Sequence, residues 1–350
     1  IVNFLTESIY STNTTNIPLR NEYFDMKDFE YISEEDEKEE EEEEEEYDDM
    51  EEDAIDEKAI NQSKLCFRIR KVRNISTGKF YILKEHAKNR AFLYKHDVIN
   101  FFSSLKIILQ LNHPSILKFI GFYPTGFKRL STVISEYAPN GTLDKMVDKE
   151  SNHEWNNTKI LINIYGIAAG MSYLHQHNIV HRDLKTENIY LDESNYPRIS
   201  GFHLSKEIKR DEDKVSQHLK GTPAYISPET YTKHIYDEKS DVYSYSFIIY
   251  ELVSNHRAFD KSRSIEEHYK YIVEEHQRPN ISDNIPDCYR TLIERCWSED
   301  PNERPTFSDI LIELRTNPEF INDSIDSTEY EQYIKQIDDY PTTFEPNKRN

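Results

Sequence analysis

One stretch constrains the chain more than any other: His181-Arg182-Asp183-Leu184-Lys185-Thr186-Glu187-Asn188. It sets a carboxylate, an ammonium and a carboxamide at residues 183, 185 and 188. Upstream, Ile160, Ile164, Ile167, Ala168, Met171 and Leu174 recur at spacings of three and four, which predicts a buried helix. Downstream, Ile189-Tyr190-Leu191 is a short apolar run followed by the turn residues Asp192 and Asn195, which predicts a hairpin. The polar octet is therefore a loop between a helix and a hairpin, where a rigid scaffold aims side chains.

Charge divides the chain unevenly. Residues 34–57 hold 19 acidic residues and one lysine, so −18 of the formal −22 lies in that run. Such a block repels itself and buries little apolar surface, so residues 1–61 are expected to be disordered. The run is expected to act as a solubilising spacer or as a lure for a basic partner. The rest of the chain is nearly balanced, which gives nucleic-acid binding no electrostatic support. Cys66, Cys288 and Cys296 have no metal-like spacing and point to a reducing compartment. No apolar run approaches the roughly 20 residues of a membrane span, and residues 1–30 show no secretory signal. The expectation is a cytoplasmic protein, or a nuclear one, without membrane contact. The sequence opens on Ile1 rather than Met, so a fragment of a longer chain is one reading.

Folded character begins near Leu65. Residues 65–73 and 78–84 read as strands around Ser76-Thr77-Gly78, with Phe80, Ile82 and Lys84 on one face. Residues 98–111 read as a helix ended by Asn112-His113-Pro114, before strands near 117–123 and 130–137. The octet resembles the catalytic loop of eukaryotic protein kinases. That resemblance implies Asp183 as the base for the substrate hydroxyl, Lys185 on the γ-phosphate and Asn188 on Mg²⁺. Tyr81-Ile82-Leu83-Lys84 is similar to the family's phosphate-lysine strand, which implies Lys84 as the residue pairing the α- and β-phosphates. Ser135-Glu136-Tyr137-Ala138 resembles the hinge, with Ser135 at the gatekeeper place and Glu136 and Ala138 beside the adenine. Residues 201–229 resemble the activation segment, in which Thr222 bonds the catalytic Asp and Glu229 pairs with Arg304. Asp241-Val242-Tyr243-Ser244 resembles the start of the helix whose Asp caps the catalytic loop, and Cys296 to Pro305 matches the tyrosine-kinase-like group. These motifs stand in family order over residues 62–315, which carries the fold expectation.

Four parts of the nucleotide machinery depart from that pattern. Counted back from Lys84, the glycine-rich loop falls at Gln62, Lys64 and Phe67, and no glycine occurs before Gly78. Backbone without a Cβ is what lets that loop approach phosphates. The metal aspartate of Asp-Phe-Gly is replaced in Gly201-Phe202-His203, leaving Asn188 as a poor anchor for a hard cation. The helix glutamate that pairs the strand lysine is Ser104, with Asp97 as a possible substitute. Ile82 and Tyr190 enlarge the two walls of the adenine pocket and are expected to fill it.

The expected fold is α+β: a two-lobed protein kinase fold with a small antiparallel sheet (N-lobe 62–137) and a mainly helical C-lobe (138–315), followed by a polar tail, 316–350. The expected function is a catalytically impaired pseudokinase that scaffolds or regulates signalling through partners held on its lobes. The alternative is a weak ATP-dependent Ser/Thr kinase using Mg²⁺, Asp183, Lys185, Lys84 and Asn188. A third reading makes the acidic run the binding module. Phosphorylation of Ser205 or Ser216, read by Arg182, is a further expectation.

Overall fold

The computed structural model describes residues 26–31, 67–86, 103–123, 132–147, 156–216, 219–259 and 264–341. The expectations for the acidic run and for Gln62, Lys64, Cys66 and Asp97 fall outside them.

The N-lobe is an antiparallel sheet in the order β1-β2-β3-β5-β4. Its strands are β1 (Phe29–Tyr31), β2 (Phe67–Asn74), β3 (Phe80–His86), β4 (Phe119–Tyr123) and β5 (Thr132–Glu136). Strand alternation sorts the side chains by face. Val72, Leu83 and Ile134 are fully buried and pack with Phe29 on one face. Lys71, Ile82 and Ser135 are cross-strand neighbours on the other. Residues 103–108 are helical, with Ser104, Leu105 and Ile107 buried.

The expected disorder of residues 1–61 is corrected at β1, where Phe29 pairs with Asn74 and Tyr31 with Val72. Phe29 gains a place in the N-lobe core, edge-on to Tyr81 at 5.8 Å. Residues 32–66 therefore join two adjacent strands, and the acidic run lies within that connection. Phe67, expected in the glycine-loop position, pairs with His86 inside β2.

The C-lobe is built on α1 (Asn157–Gln176), buried from Leu161 to Leu174 on every side. A helix apolar all round belongs in a core. Asn156 caps its start by accepting from the Lys159 backbone N–H at 2.8 Å. Against it run the small strands β6 (Ile179–Val180), β7 (Ile189–Leu191), β8 (Pro197–Ile199) and β9 (Lys206–Glu207), with β6 paired to β9 and β7 to β8. The helices α2 (Pro228–Lys233), α3 (Glu238–Ser254), α4 (Ile265–Tyr269), α5 (Asp287–Cys296) and α6 (Phe307–Thr316) follow. Asp237 and Ser240 form a capping box at the start of α3, and Thr306 and Asp309 form one at α6. No helix among the described residues is long and apolar enough to cross a membrane.

The body does not stop at residue 315. Helix α7 (Ser327–Asp338) buries Tyr330, Tyr333 and Ile337 against the same core. Of the two courses open to the polar tail, docking as a short helix or staying loose, this stretch takes the first: three buried positions at helical spacing stand among acidic neighbours. Tyr333 reaches α1 because Gly166 has no side chain, and a Cβ there would overlap the Tyr333 hydroxyl.

Inside the C-lobe, the fully buried Arg304 guanidinium meets Glu229 in a bidentate pair at 2.7 and 2.9 Å. Removing one partner of such a pair strands a charge in low dielectric. Glu229→Ala is expected to lower unfolding free energy by about 3–5 kcal/mol in urea titration; a loss below about 1 kcal/mol, typical of a surface pair, would contradict this reading.

Candidate active site

The octet forms a loop between β6 and β7, and a buried carboxylate holds its backbone. Asp241, at the start of α3, accepts from the His181 N–H at 2.8 Å and the Arg182 N–H at 2.9 Å. It also meets His175 Nε2 at 2.9 Å. Arg182 sits at φ 70°, a left-handed conformation that surrounding structure must enforce. His181 is fully buried, and its Nδ1 takes the Asp183 N–H at 3.3 Å. That leaves Nε2–H to donate to Ser200 O at 2.7 Å. Burial pushes the His181 ring below its ordinary value, in keeping with this neutral tautomer.

Asp183 is the centre of the loop. Its Oδ1 accepts from Thr222 N at 3.1 Å and Thr222 Oγ1 at 2.8 Å. Its Oδ2 faces Asn188 Nδ2 at 2.9 Å, Lys185 Nζ at 3.7 Å and His203 Nε2 at 3.8 Å. Burial alone would raise this carboxyl. The Lys185 ammonium, the His203 ring and the Thr222 hydroxyl outweigh burial and hold it below the ordinary carboxylate range. The structure thus brings Asp183, Lys185 and Asn188 together.

The metal end of the site is different. Asn188 Nδ2 donates to both Asp183 O, at 2.8 Å, and Asp183 Oδ2. Both partners can only accept, so the atom facing Asp183 is the amide nitrogen. Gly201 is left-handed at φ 78°. A Cβ built there would overlap the Asn188 carboxamide and lie 2.6 Å from Oδ1. Asn188 therefore occupies the space a side chain at residue 201 would need. Among the described residues no group of three or more His, Cys, Asp or Glu side chains is placed to hold a metal ion. Mg²⁺ prefers hard oxygen ligands in octahedral array, and this donor set does not fit it.

Above the loop, Lys84 lies on β3 between Ile69 and Val133 in register, and Ile82 lies between Lys71 and Ser135. Lys71 was not picked out from the sequence. Its Nζ sits over the Tyr137 ring at 4.3 Å and the Phe80 ring at 4.9 Å, so a cation stands on the roof beside the hinge. The signal was the alternation of β2, which pairs Lys71 with Ile82. Glu136 ends β5, and its carboxylate accepts from Lys118 N at 2.9 Å. Ala138 is buried just beyond. Tyr190 lies on β7 and bridges Thr142, while Leu191 N donates to Gly141 O at 2.8 Å. The hinge exit is thereby tied to the floor strand. Ser104 stands buried in the helical stretch where the family's glutamate was expected.

With this geometry in view, residues 83–314 match the family model described as protein tyrosine and serine/threonine kinase. The chain belongs to the eukaryotic protein kinase superfamily. It is 32% identical over 226 residues to serine/threonine-protein kinase 12 of Arabidopsis thaliana, which covers 63% of this chain and 48% of that protein. It is 31% identical over 223 residues to dual specificity protein kinase shkE of Dictyostelium discoideum, covering 62% and 31%. It is 32% identical over 267 residues to integrin-linked protein kinase 1 of Arabidopsis thaliana, covering 71% and 54%. The chain thus spans about half or less of the length of these kinases.

A second buried carboxylate also escaped sequence reasoning. Glu251 on α3 accepts from Thr186 Oγ1 at 2.9 Å, Tyr225 Oη at 3.0 Å and Ala258 N at 3.2 Å. It joins the kinase catalytic loop to the end of the activation segment. Burial pushes its carboxyl up to about 7, against the pull of Arg257. The folded chain then holds this proton more tightly than the unfolded chain. The stability it contributes is complete below the ordinary 4.5 and is lost as pH rises through about 7. Glu251→Gln is expected to flatten that fall in denaturant titrations across the window, whereas parallel curves for both proteins would contradict it. At the metal end, Gly201→Ala is expected to lower stability by about 1–3 kcal/mol, through left-handed strain and overlap with Asn188. An unchanged melting temperature would show that Asn188 yields its place freely.

Proposed function

We propose that the chain is a catalytically impaired kinase-fold protein of the tyrosine-kinase-like group, acting by holding protein partners on its lobes. The observation that carries this reading is the Asn188 carboxamide packed against Gly201 with its nitrogen turned to Asp183. Phosphoryl transfer rests almost wholly on positioning and electrostatic stabilisation of the γ-phosphate. Loss of one preorganised electrostatic group typically lowers rate by roughly 10²–10³. Here the metal carboxylate, the glycine loop and the helix glutamate are all replaced. No glycine exists anywhere in residues 32–66, the connection between β1 and β2, and that connection contains the run of net charge −18. The roof adds bulk at Ile82 and a cation at Lys71. Asp183, Thr222 and Asp241 then serve as framework, holding the catalytic loop and activation segment in one shape for partners to read.

The second reading is a weak ATP-dependent Ser/Thr kinase. It is favoured by the intact Asp183–Lys185–Thr222 cluster and by the kinase names of the relatives. In that reading Lys84, with Glu136, Ala138, Ile82 and Tyr190 around the base, holds the nucleotide, and Asn188 the metal. The acidic run is proposed as an accessory contact for a basic partner.

Thermal-shift titration of the full chain with ATP, with and without Mg²⁺ or Mn²⁺, separates the readings. A ligand at about 100 times its Kd adds roughly 2.7 kcal/mol of stability. The expected result is no shift at millimolar ATP. A metal-dependent shift, together with phosphate transfer abolished by Asp183→Asn, would overturn the proposal in favour of a working kinase.

A further inference from the structure

Beyond the stretch that matches the kinase family, the chain runs back along the C-lobe to a loop that borders both lobes. Arg315 Nε meets the Tyr165 hydroxyl at 2.6 Å and its Nη2 meets Asp338 at 2.6 Å. Glu329 takes Lys159 at 2.5 Å and the Tyr196 hydroxyl at 3.2 Å. The end of this strap is held by a reciprocal pair. The Tyr340 hydroxyl donates to Asn112 Oδ1 at 2.9 Å, and Asn112 Nδ2 donates to Pro341 O at 3.3 Å.

Asn112 opens the loop that follows helical residues 103–108. Within that loop Ser115 Oγ lies 3.3 Å from the Tyr333 hydroxyl of α7. Ser115 O accepts from Ile199 N at 2.8 Å, and Ile199 O accepts from Leu117 N at 2.8 Å. Ile199 ends β8, and the next residue, Ser200, donates its N–H to Asn188 O at 2.8 Å. Gly201 follows. A continuous set of direct contacts therefore runs from Tyr340, through loop 112–117 and β8, to the Asn188–Gly201 packing.

We propose that Tyr340 is a phosphorylation site, and that phosphate on it unlatches the C-terminal strap from loop 112–117. The hydroxyls of Tyr245, Tyr330 and Tyr333 belong to buried rings of the core. Tyr340 is half-buried, lies beyond the end of α7, and is held through its hydroxyl, so fraying of the last turn presents it to an enzyme. In the reaction the phenolic oxygen bonds to the γ-phosphorus of a nucleoside triphosphate carried by a separate tyrosine kinase. The bond to the nucleoside diphosphate breaks, and the phenolic proton passes to that enzyme's base. The product no longer donates to Asn112 Oδ1, which instead faces a group of charge near −2. That charge also stands at the negative end of the α7 dipole, beside Asp338 and Asp339. Among the described residues, Arg315 is paired with Tyr165 and Asp338, and Lys335 with Asp339 at 3.3 Å. Repulsion therefore opens the latch.

The test treats the full chain with a purified soluble tyrosine kinase and ATP, maps the modified residues by mass spectrometry, and follows amide hydrogen exchange. The expected result is phosphate on Tyr340, with exchange about tenfold faster in residues 109–117 and 327–341 and unchanged in residues 238–254. Asn112→Ala is expected to speed exchange in the same two segments without phosphate, and Tyr340→Phe to abolish the response to the kinase. Phosphate on the exposed Tyr31 but none on Tyr340 would overturn the proposal. So would full modification of Tyr340 with exchange in residues 109–117 unaltered.

Discussion

The Asp241 carboxylate, buried at the start of α3, is the fixed point of this structure. It binds two consecutive backbone N–H groups of the catalytic loop and the His175 ring together. Without it, Arg182 would have no reason to keep a left-handed backbone, and Asp183 would not be aimed at Thr222. Charge-assisted bonds to a buried carboxylate are among the stronger polar contacts available to a fold. From this point order spreads in two directions. Through His181 it reaches Ser200 and the segment beginning at Gly201; through Asp183 it reaches Thr222 and the rest of the activation segment. Glu251 closes the far side by joining Thr186 to Tyr225.

That framework is separable from phosphate chemistry. Lys84, Lys185 and Asn188 are kept, whereas the metal carboxylate, the loop glycines and the helix glutamate are replaced. The glycine at residue 201 is more than a missing ligand, because the Asn188 carboxamide occupies the volume a side chain there would need and bonds Asp183. A close-packed arrangement of this kind resists the return of a side chain there. On the proposed reading, the fold is kept for its shape, and this accounts for both halves of the pattern.

Much of the fold was legible because independent signals agreed. The helix of α1 showed in its apolar spacing, the β7–β8 hairpin in Asp192 and Asn195, and the long-range pairs Glu229–Arg304 and Asp241–His181 in the family resemblance. What stayed hidden depended on neighbours distant in sequence. β1 is three residues long, and only its pairing with β2 marks it as part of the sheet. Tyr330, Tyr333 and Ile337 read as polar tail until α1 and Gly166 are seen beneath them. Lys71 reads as one more basic residue on an edge until its register with Ile82 puts it on the roof. The sequence showed that Gly201 removes a ligand; it could not show that Asn188 takes up the space, since that depends on φ at 201 and on a rotamer at 188.

The central claim is that no divalent-cation site exists where Asn188 meets Gly201. Electron paramagnetic resonance of Mn²⁺, titrated with the full chain and ADP, addresses it directly, because free Mn²⁺ gives a signal that is lost on binding. The account predicts that the chain removes no more signal than ADP alone. Stoichiometric loss of free Mn²⁺ that depends on the chain, and disappears in Asn188→Ala, would contradict it.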